Sequence, residues 1–263
     1  MVVVDVRSNK ATEWLGRFGM ICYGVVHLLV AWLALQVVFG ESEQADQKGA
    51  VGSLAESPLG PVLLWGLAIG LFAYALWQIL LIFNGYTWVE QGRKRFLRKF
   101  GAGSRAFVSA TVGIYTIELA TGTGGGSSSN QSTQEWTATL MAQPFGRILV
   151  GILALVILGV AVAAIRRGVK KKFMEDLNRA QLPNAAEPLG VAGHCAKGVA
   201  YGIIGILVGI AAVNADPGQA QGLDGALKTL QAQTFGSILL FVVALGFAAY
   251  GAFCFAAAKA HKG

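Results

Sequence analysis

The sequence predicts an all-α, polytopic membrane protein built from three tandem two-helix repeats. A unit of roughly 87 residues recurs, with Pro58-Leu59-Gly60 returning as Pro144-Phe145-Gly146 and as Thr234-Phe235-Gly236. Each unit carries two apolar stretches close to the roughly 20 residues that cross about 30 Å of hydrocarbon. Because self-similarity at a fixed period indicates a repeated supersecondary unit, we expect three helix hairpins in one bilayer.

The composition excludes an ordinary soluble domain. Apolar residues make up 54% of the chain, charged residues 13%, and the mean hydropathy is +0.56. A soluble domain carries about 25% charged residues. A soluble protein of this composition would expose apolar patches far above the few hundred Å² that soluble monomers tolerate.

Hydropathy predicts six membrane spans, at 18–39, 61–83, 106–121, 148–165, 196–213 and 238–258. They group into repeats at 13–90, 98–166 and 187–258. The third span is the weakest because Glu118 lies inside it, and we retain it because its repeat partners are strong. Before each second span we expect a short helix at the outer interface, ending in a sharp bend at Gly60, Gly146 or Gly236.

The distribution of basic residues predicts the orientation. In a six-span arrangement, one side holds 18 of the 21 Lys and Arg residues, and only Lys48, Arg147 and Lys228 lie on the other. Lys and Arg near span ends mark the cytoplasmic side. Both termini are therefore expected in the cytoplasm, and most of the net charge of +7 reflects topology.

Two cytoplasmic loops interleave basic and apolar residues, at 93–100 and 166–173. Such segments lie on anionic lipid, at about 1 kcal/mol per basic residue near the surface. Nucleic acid would attract the same charges, but no recognition fold accompanies them. Membrane lipids are therefore the expected partner, and no nucleic-acid partner is predicted.

Glycine stripes predict where helices pack. Small residues at helical spacing let backbones approach closely when lipid removes the hydrophobic drive between helices. We therefore expect packing seams, and the alternative is a smooth wall for a ligand or pore. The stripes contain Gly198, Gly202, Gly205 and Gly209 on the fifth span and Gly66 and Gly70 on the second.

The chain resembles a family of bacterial membrane proteins, the domain of unknown function numbered 1206. The resemblance rests on Arg17-Phe18-Gly19-x4-Gly24-Val25-Val26-His27, on Pro58-Leu59-Gly60 and on Leu245-Gly246-x3-Tyr250-Gly251, and it covers about 13–255. It implies three tandem two-helix units in the bacterial cytoplasmic membrane. The middle unit departs from the pattern, with Val108 where the outer units have glycine. The family supplies no activity, so no functional residue is carried over.

Polar residues inside spans are the remaining candidate ligand contacts, because ionisable groups there are costly to bury. The repeat aligns His27 with Thr111 and Tyr201, so these three side chains could ring a pseudo-threefold axis. Alternatively, each bonds a neighbouring helix. Glu118 could bind a proton or cation, or point toward the outer interface, which we favour.

Other ionisable residues predict no catalytic chemistry. Arg105 and Lys197 begin their spans and are expected to snorkel to the cytoplasmic surface. The three cysteines show no metal-binding or redox spacing, and the three histidines offer no transmembrane pair for a haem. We therefore predict no cofactor, no metal and no enzyme activity.

Two classes of function remain. The first is a non-enzymatic scaffold or accessory subunit that binds lipid or the partners of a larger membrane-protein complex. The second is a permeation or ligand-binding device for ions or small solutes on the pseudo-threefold axis. We prefer the first, because strongly polar pore-lining residues are scarce.

The orientation can be tested with fusions. A reporter that is active only outside the cytoplasm should stay silent when it is fused after Gly263, because that end carries the basic side of the topology. The same reporter inserted into the glycine-rich stretch at 121–130 should be active. Activity at the C-terminal fusion would reverse the predicted orientation.

Overall fold

The computed structural model describes residues 10–41, 43–84, 86, 92–123 and 128–260. Within these ranges the fold is all-α, as predicted, with short 3₁₀ turns between some of the helices. The described α-helices are α1 (Lys10–Val38), α2 (Gln47–Ala55), α3 (Gly60–Asn84), α4 (Arg93–Ala120), α5 (Ser129–Met141), α6 (Gly146–Val169), α7 (Ala186–Asn214), α8 (Leu223–Gln231) and α9 (Gly236–Ala260).

Five of the six long helices are long and apolar enough to cross a membrane: α1, α3, α6, α7 and α9. The exception is α4, which was predicted as the third span. Its first two turns are strongly basic, and its apolar part contains both Arg105 and Glu118. Composition therefore supports a multi-pass membrane protein with five candidate spans among the described residues, one fewer than predicted.

The three predicted short helices precede the second long helix of each repeat. They are α2, α5 and α8, and the residues Gly60, Gly146 and Gly236 are the first residues of α3, α6 and α9. A Cβ atom at any of these glycines would overlap a backbone oxygen of the preceding short helix or its end. The sharp bend therefore requires glycine, and it occurs at the same point of each repeat.

The long helices pack in the order α4, α3, α1, α9, α7, α6. The first and third repeats are closed hairpins, in which α1 packs on α3 and α7 packs on α9. The contacts between repeats are equivalent to one another: α3 with α4, α6 with α7, and α9 with α1. The middle repeat differs, because α4 and α6 do not form a packed pair in the described structure.

The two closed hairpins use the same notched contact. A Cβ at Gly19 of α1 would lie 2.5 Å from the Tyr74 nitrogen of α3, and a Cβ at Gly193 of α7 would lie 2.5 Å from Tyr250 Cβ of α9. One turn earlier on the second helices, added Cβ atoms at Gly70 and Gly246 would overlap side chains of α1 and α7. These glycines let the two backbones of each hairpin touch.

The middle repeat lacks this notch. Val156 and Val160 of α6 stand where the outer repeats have glycine and tyrosine. On the middle repeat's first helix, a Cβ at Gly103 would instead approach Ile82 of α3, at 3.7 Å. The three predicted repeats are present, but the middle unit is not a packed hairpin, because its helices each pack on a neighbouring repeat.

The predicted stripe on α7 faces α6. A Cβ at Gly198 would lie 3.0 Å from the Ala161 carbonyl oxygen, and one at Gly205 would lie 2.9 Å from Leu158 Cδ2. The other two members are less crowded, because Cβ atoms at Gly202 and Gly209 would meet alanine Cβ atoms at 3.9 and 3.6 Å. The close approach thus depends on two of the four glycines.

The stripe predicted on the second span is divided. Gly70 packs directly against Cys22 of α1, where an added Cβ would overlap the sulfur. Gly66 lies in no such contact, because a Cβ there would meet no atom within 4 Å. The packing prediction is therefore wrong at Gly66, because this residue does not lie on the face of α3 that packs against α1.

Three short helices join the repeats at the end of the bundle opposite the basic loops. Asn130 of α5 donates to Asp224 Oδ2 of α8 at 2.9 Å, and the Ala45 N–H donates to Asp224 Oδ1 at 3.0 Å. Lys48 of α2 donates to Ser132 Oγ of α5 at 2.9 Å. These bonds link each repeat to the other two.

The carboxyl group of Asp46, which caps α2 beside this junction, has a pKa that is shifted by burial. Asp46 caps α2 by accepting from the Gly49 N–H at 2.9 Å, and it is fully buried. Burial raises the pKa of the Asp46 carboxyl, although the bonds from Gly49 and Gln44 oppose that shift. The junction of short helices therefore contains a buried carboxyl group that is held by hydrogen bonds.

At the basic end, one carboxylate joins the two helices of the middle repeat. Asp176 lies in the 3₁₀ turn Lys172–Asp176 and pairs with both Arg98 of α4 and Arg167 of α6. Its side chain is 4% exposed, so these are sheltered ion pairs. The helices α4 and α6 are thus connected at this end although they do not pack along their length.

The glycine seam between α6 and α7 can be tested with two matched substitutions. Gly198→Ala should destabilise the protein by about 1–3 kcal/mol, because its Cβ would press on the α6 backbone and overpacked interiors have little room to relax. Gly202→Ala adds the same methyl group to the same helix face and should be neutral or slightly stabilising. Melting temperatures in detergent would measure the difference. Equal melting of the two variants would contradict the tight seam.

Candidate functional site: a buried cation cluster and an unpaired helix face

Lys197 lies in the interior of the bundle, where α1, α7 and α9 meet. Its side chain is buried, and Nζ lies 3.1 Å from the Tyr23 hydroxyl and 3.4 Å from His27 Nε2. The same Nζ is 4.0 Å from the centroid of the Tyr250 ring. Two hydrogen-bond acceptors and one aromatic face therefore surround the amine, and a cation over a desolvated ring gains about 2 kcal/mol.

The hydrogen bonds of His27 define its tautomer. Nδ1 lies 2.9 Å from the Tyr23 carbonyl oxygen, which can only accept, so Nδ1 carries the hydrogen. Nε2 is then free to accept from Lys197. Tyr23 thus contacts this network twice, through its carbonyl to His27 and through its hydroxyl to Lys197.

A second cation, the partly buried Arg105 of α4, lies near the same rings. Arg105 of α4 donates from Nε to Gln78 Oε1 and from a terminal nitrogen to the Tyr86 hydroxyl, both at 3.2 Å. Gln78 and Tyr86 are each 2% exposed. This polar contact joins α4 to α3 and to Tyr86, two residues beyond the end of α3.

Three tyrosine rings pack together near the two cations. Tyr23 stacks on Tyr74 with ring centroids 4.6 Å apart and planes at 15°, and it meets Tyr250 edge-on at 6.3 Å. We name Lys197, Arg105, Tyr23, Tyr74, Tyr250 and His27 the cation cluster. It draws residues from five of the six long helices, all except α6.

No carboxylate of the described chain pairs with either cation of this cluster. Removing a cation from water without a counter-ion is costly, so its remaining contacts must compensate. Tyrosine does so in two ways, through the hydroxyl oxygen and through the negative face of the ring. The arrangement can therefore hold a positively charged side chain in the core.

The prediction that Lys197 snorkels to the surface is wrong, because its side chain is buried in the bundle. Arg105 is partly exposed, and its guanidinium bonds to the buried residues Gln78 and Tyr86. The apolar run suggested that each span starts near Lys197 or Arg105, but α7 begins at Ala186 and α4 at Arg93. The helices therefore start about three turns earlier than the hydropathy indicated.

The structure brings together two of the three predicted axis residues. His27 contacts Lys197, and the Tyr201 ring centroid is 6.0 Å from the same Nζ. Thr111 lies elsewhere: it is exposed on α4, and its hydroxyl donates to its own helix at the Phe107 carbonyl. The three residues do not form a ring, because the bundle is open at the middle repeat.

Glu118 lies near the end of α4 and is exposed, the placement that the sequence favoured over a buried ion site.

Sequence reasoning missed the central role of Lys197, Tyr23, Tyr74 and Tyr250. The repeat contained a signal for them, since Lys197 aligns with Tyr23 and Tyr250 aligns with Tyr74. Aligned polar positions in both closed hairpins point into the same core.

A second feature follows from the open middle repeat. We name Leu153, Val156 and Val160 of α6 the unpaired face. Their repeat equivalents are buried in both closed hairpins, whereas these three side chains are 39 to 45% exposed. The equivalents are Leu67, Gly70 and Tyr74 of α3, and Val243, Gly246 and Tyr250 of α9. On α6, the fold therefore leaves exposed the surface that α3 and α9 use to pack against the first helix of their own repeats.

Comparison with known proteins confirms the family resemblance. The sequence model of a family described as Domain of Unknown Function (DUF1206) matches residues 18–81, 100–171 and 192–261, one segment in each repeat. The uncharacterised protein YxxB of Bacillus subtilis is 30% identical over 262 residues, which cover 95% of this chain and 94% of that protein. No solved structure matches the chain.

The cation cluster can be tested with a double-mutant cycle. Tyr23→Phe keeps the stacked ring and removes the hydroxyl that accepts from Lys197, so it should cost about 1–3 kcal/mol of unfolding free energy. In a Lys197→Met background the same change should cost much less, because no donor is left unpaired. Tyr201→Phe is the matched control and should stay within about 0.5 kcal/mol of wild type. Additive effects of Tyr23→Phe and Lys197→Met would show that the amine does not depend on this hydroxyl.

Proposed function

The chain belongs to the family of the domain of unknown function numbered 1206, and we propose that it acts as a non-enzymatic membrane scaffold or accessory subunit whose unpaired face binds a transmembrane helix of a partner protein. The observation that carries this proposal is the exposure of Leu153, Val156 and Val160 at positions that are buried in both other repeats. An apolar stripe beside an incomplete helix pair offers a helix-shaped contact surface.

The geometry around the unpaired face favours a membrane helix as the partner. The stripe runs along α6, a helix apolar enough to span the bilayer. At the basic end of the bundle, α4 is connected to α6 through Arg98, Asp176 and Arg167. At the opposite end, α5 lies between α4 and α6 in the chain. An occupant would therefore lie along α6 within the bilayer.

Closed packing of the core supports a scaffold over a permeation device. The position proposed for a polar axis is occupied by the Lys197 side chain, with Tyr23, His27 and Tyr250 against it. The third axis residue, Thr111, lies apart from them. A continuous polar path at this depth would require these contacts to separate.

In this proposal α4 is the sixth span and both termini are cytoplasmic, in the bacterial inner membrane. α4 packs along α3 and has 28 residues, which gives a length of about 42 Å at 1.5 Å per residue. Its basic first turns and the turn at Lys172–Asp176 lie on the cytoplasmic side, where Lys and Arg concentrate. There the basic loops meet anionic lipid.

A comparison of two matched substitutions tests the partner surface. Val160→Trp blocks the unpaired face, whereas Val242→Trp places the same ring on an exposed part of α9 in the third repeat. After gentle purification of the native complex, quantitative mass spectrometry should recover a defined membrane protein with wild type and Val242→Trp, and much less of it with Val160→Trp. Equal recovery with both variants, or recovery of no membrane protein with wild type, would overturn the proposal.

A further inference from the structure

A groove lies between α6 and α7 on the side away from the unpaired face. It has a volume of about 830 Å³ and is open toward the surroundings of the bundle. Ligand pockets range over about 300–1,000 Å³. Its walls are almost wholly apolar, from residues that include Phe145, Ile148, Leu155, Ile206 and Val213.

The groove is located where α6 begins and α7 ends. Both helices are candidate spans, so this end of the groove lies at the membrane interface and the remainder runs into the hydrocarbon. Polar and charged side chains at this depth meet lipid headgroups, and apolar walls below them meet acyl chains. A soluble ligand would have to enter this groove through lipid.

One charged residue stands at the interfacial end. Arg147 is exposed, and its guanidinium donates to the Ala212 and Val213 carbonyl oxygens at 3.2 and 2.6 Å. These are carbonyls at the end of α7, so part of the donor fork holds the helix end. A guanidinium has five N–H donors, and no described carboxylate pairs with Arg147. Donors remain for an anion.

Helix packing does not require the open space of the groove. Gly151 lines it, and a Cβ at this residue would meet no atom within 4 Å. The lining residue Gly205, by contrast, belongs to the tight seam between α6 and α7. Gly151 thus leaves a space that a larger side chain would fill without disturbing α7.

We propose that this groove is a binding site for one anionic phospholipid, with the phosphate on Arg147 and an acyl chain along Gly151. Arg147 supplies charge complementarity and a planar fork that matches a phosphate. The apolar walls match an acyl chain, and they line the part of the groove that runs into the hydrocarbon region. The site shares no residue with the unpaired face and does not depend on the proposed partner.

Lipid titration of the purified full-length protein in detergent, followed by native mass spectrometry, tests this site. Phosphatidylglycerol should bind with one tight site per chain, and phosphatidylcholine with the same acyl chains should bind more weakly. Arg147→Gln should weaken phosphatidylglycerol binding by about tenfold or more, the scale of one charge-assisted contact. Gly151→Leu should abolish the tight site by filling it.

Gly159→Leu is the matched control. Gly159 lies on the same helix, also faces open space, and does not line the groove. This variant should bind phosphatidylglycerol as wild type does. If Gly151→Leu fails to fold, Arg147→Gln still decides the outcome. Equal affinity for the two lipids, or tight binding that survives both Arg147→Gln and Gly151→Leu, would overturn the site.

Discussion

Close backbone contact between the two long helices of a repeat is the constraint on which this bundle depends. In a bilayer, apolar side chains gain little from leaving lipid for one another, so helices associate through van der Waals contact and buried polar bonds. Gly19 against Tyr74 and Gly193 against Tyr250 provide that contact in the first and third repeats. The tyrosines then point their rings into the centre, where the Lys197 amine lies over Tyr250.

The cation cluster depends on these same notches. Tyr74 and Tyr250 pack against glycine through their backbones and first side-chain atoms, which fixes both rings around Tyr23. Tyrosine and glutamine oxygens and a histidine nitrogen accept hydrogen bonds from the buried Lys197 and the partly buried Arg105, and the Tyr250 ring lies against the Lys197 amine. Breaking any one of these contacts leaves a buried polar group unpaired, which costs more than the bond itself contributes.

Loss of the notch in the middle repeat has consequences at both of its helices. With Val156 and Val160 in place of glycine and tyrosine, α6 has no close seam for α4 and keeps only its contact with α7 among the long helices. One stripe of α6 is therefore exposed, and the groove beside Arg147 lies on the other side of the same helix. Both proposed binding surfaces thus involve α6, the helix without a partner in its own repeat.

The sequence by itself determined the helical class, the three repeats, the bends at Gly60, Gly146 and Gly236, and the family. These follow from hydropathy and from self-similarity at fixed spacing, which are properties of the chain read in one dimension. Hydropathy misplaced the starts of α4 and α7, because charged and polar residues in their first turns lower the mean hydropathy without ending the helix.

Only the tertiary structure decided which helices meet. Repeat alignment treats the three units as equivalent, so it paired α4 with α6 and grouped Thr111 with His27. The actual neighbours depend on whether two surfaces fit at atomic distance, and Val160 in place of tyrosine changes that fit while remaining an ordinary apolar residue. The burial of Lys197 and the contacts of Arg105 with Gln78 and Tyr86 could not be predicted from the sequence for the same reason. Whether a cation at a helix start reaches water or the core depends on what lies across from it, and a single helix does not specify that.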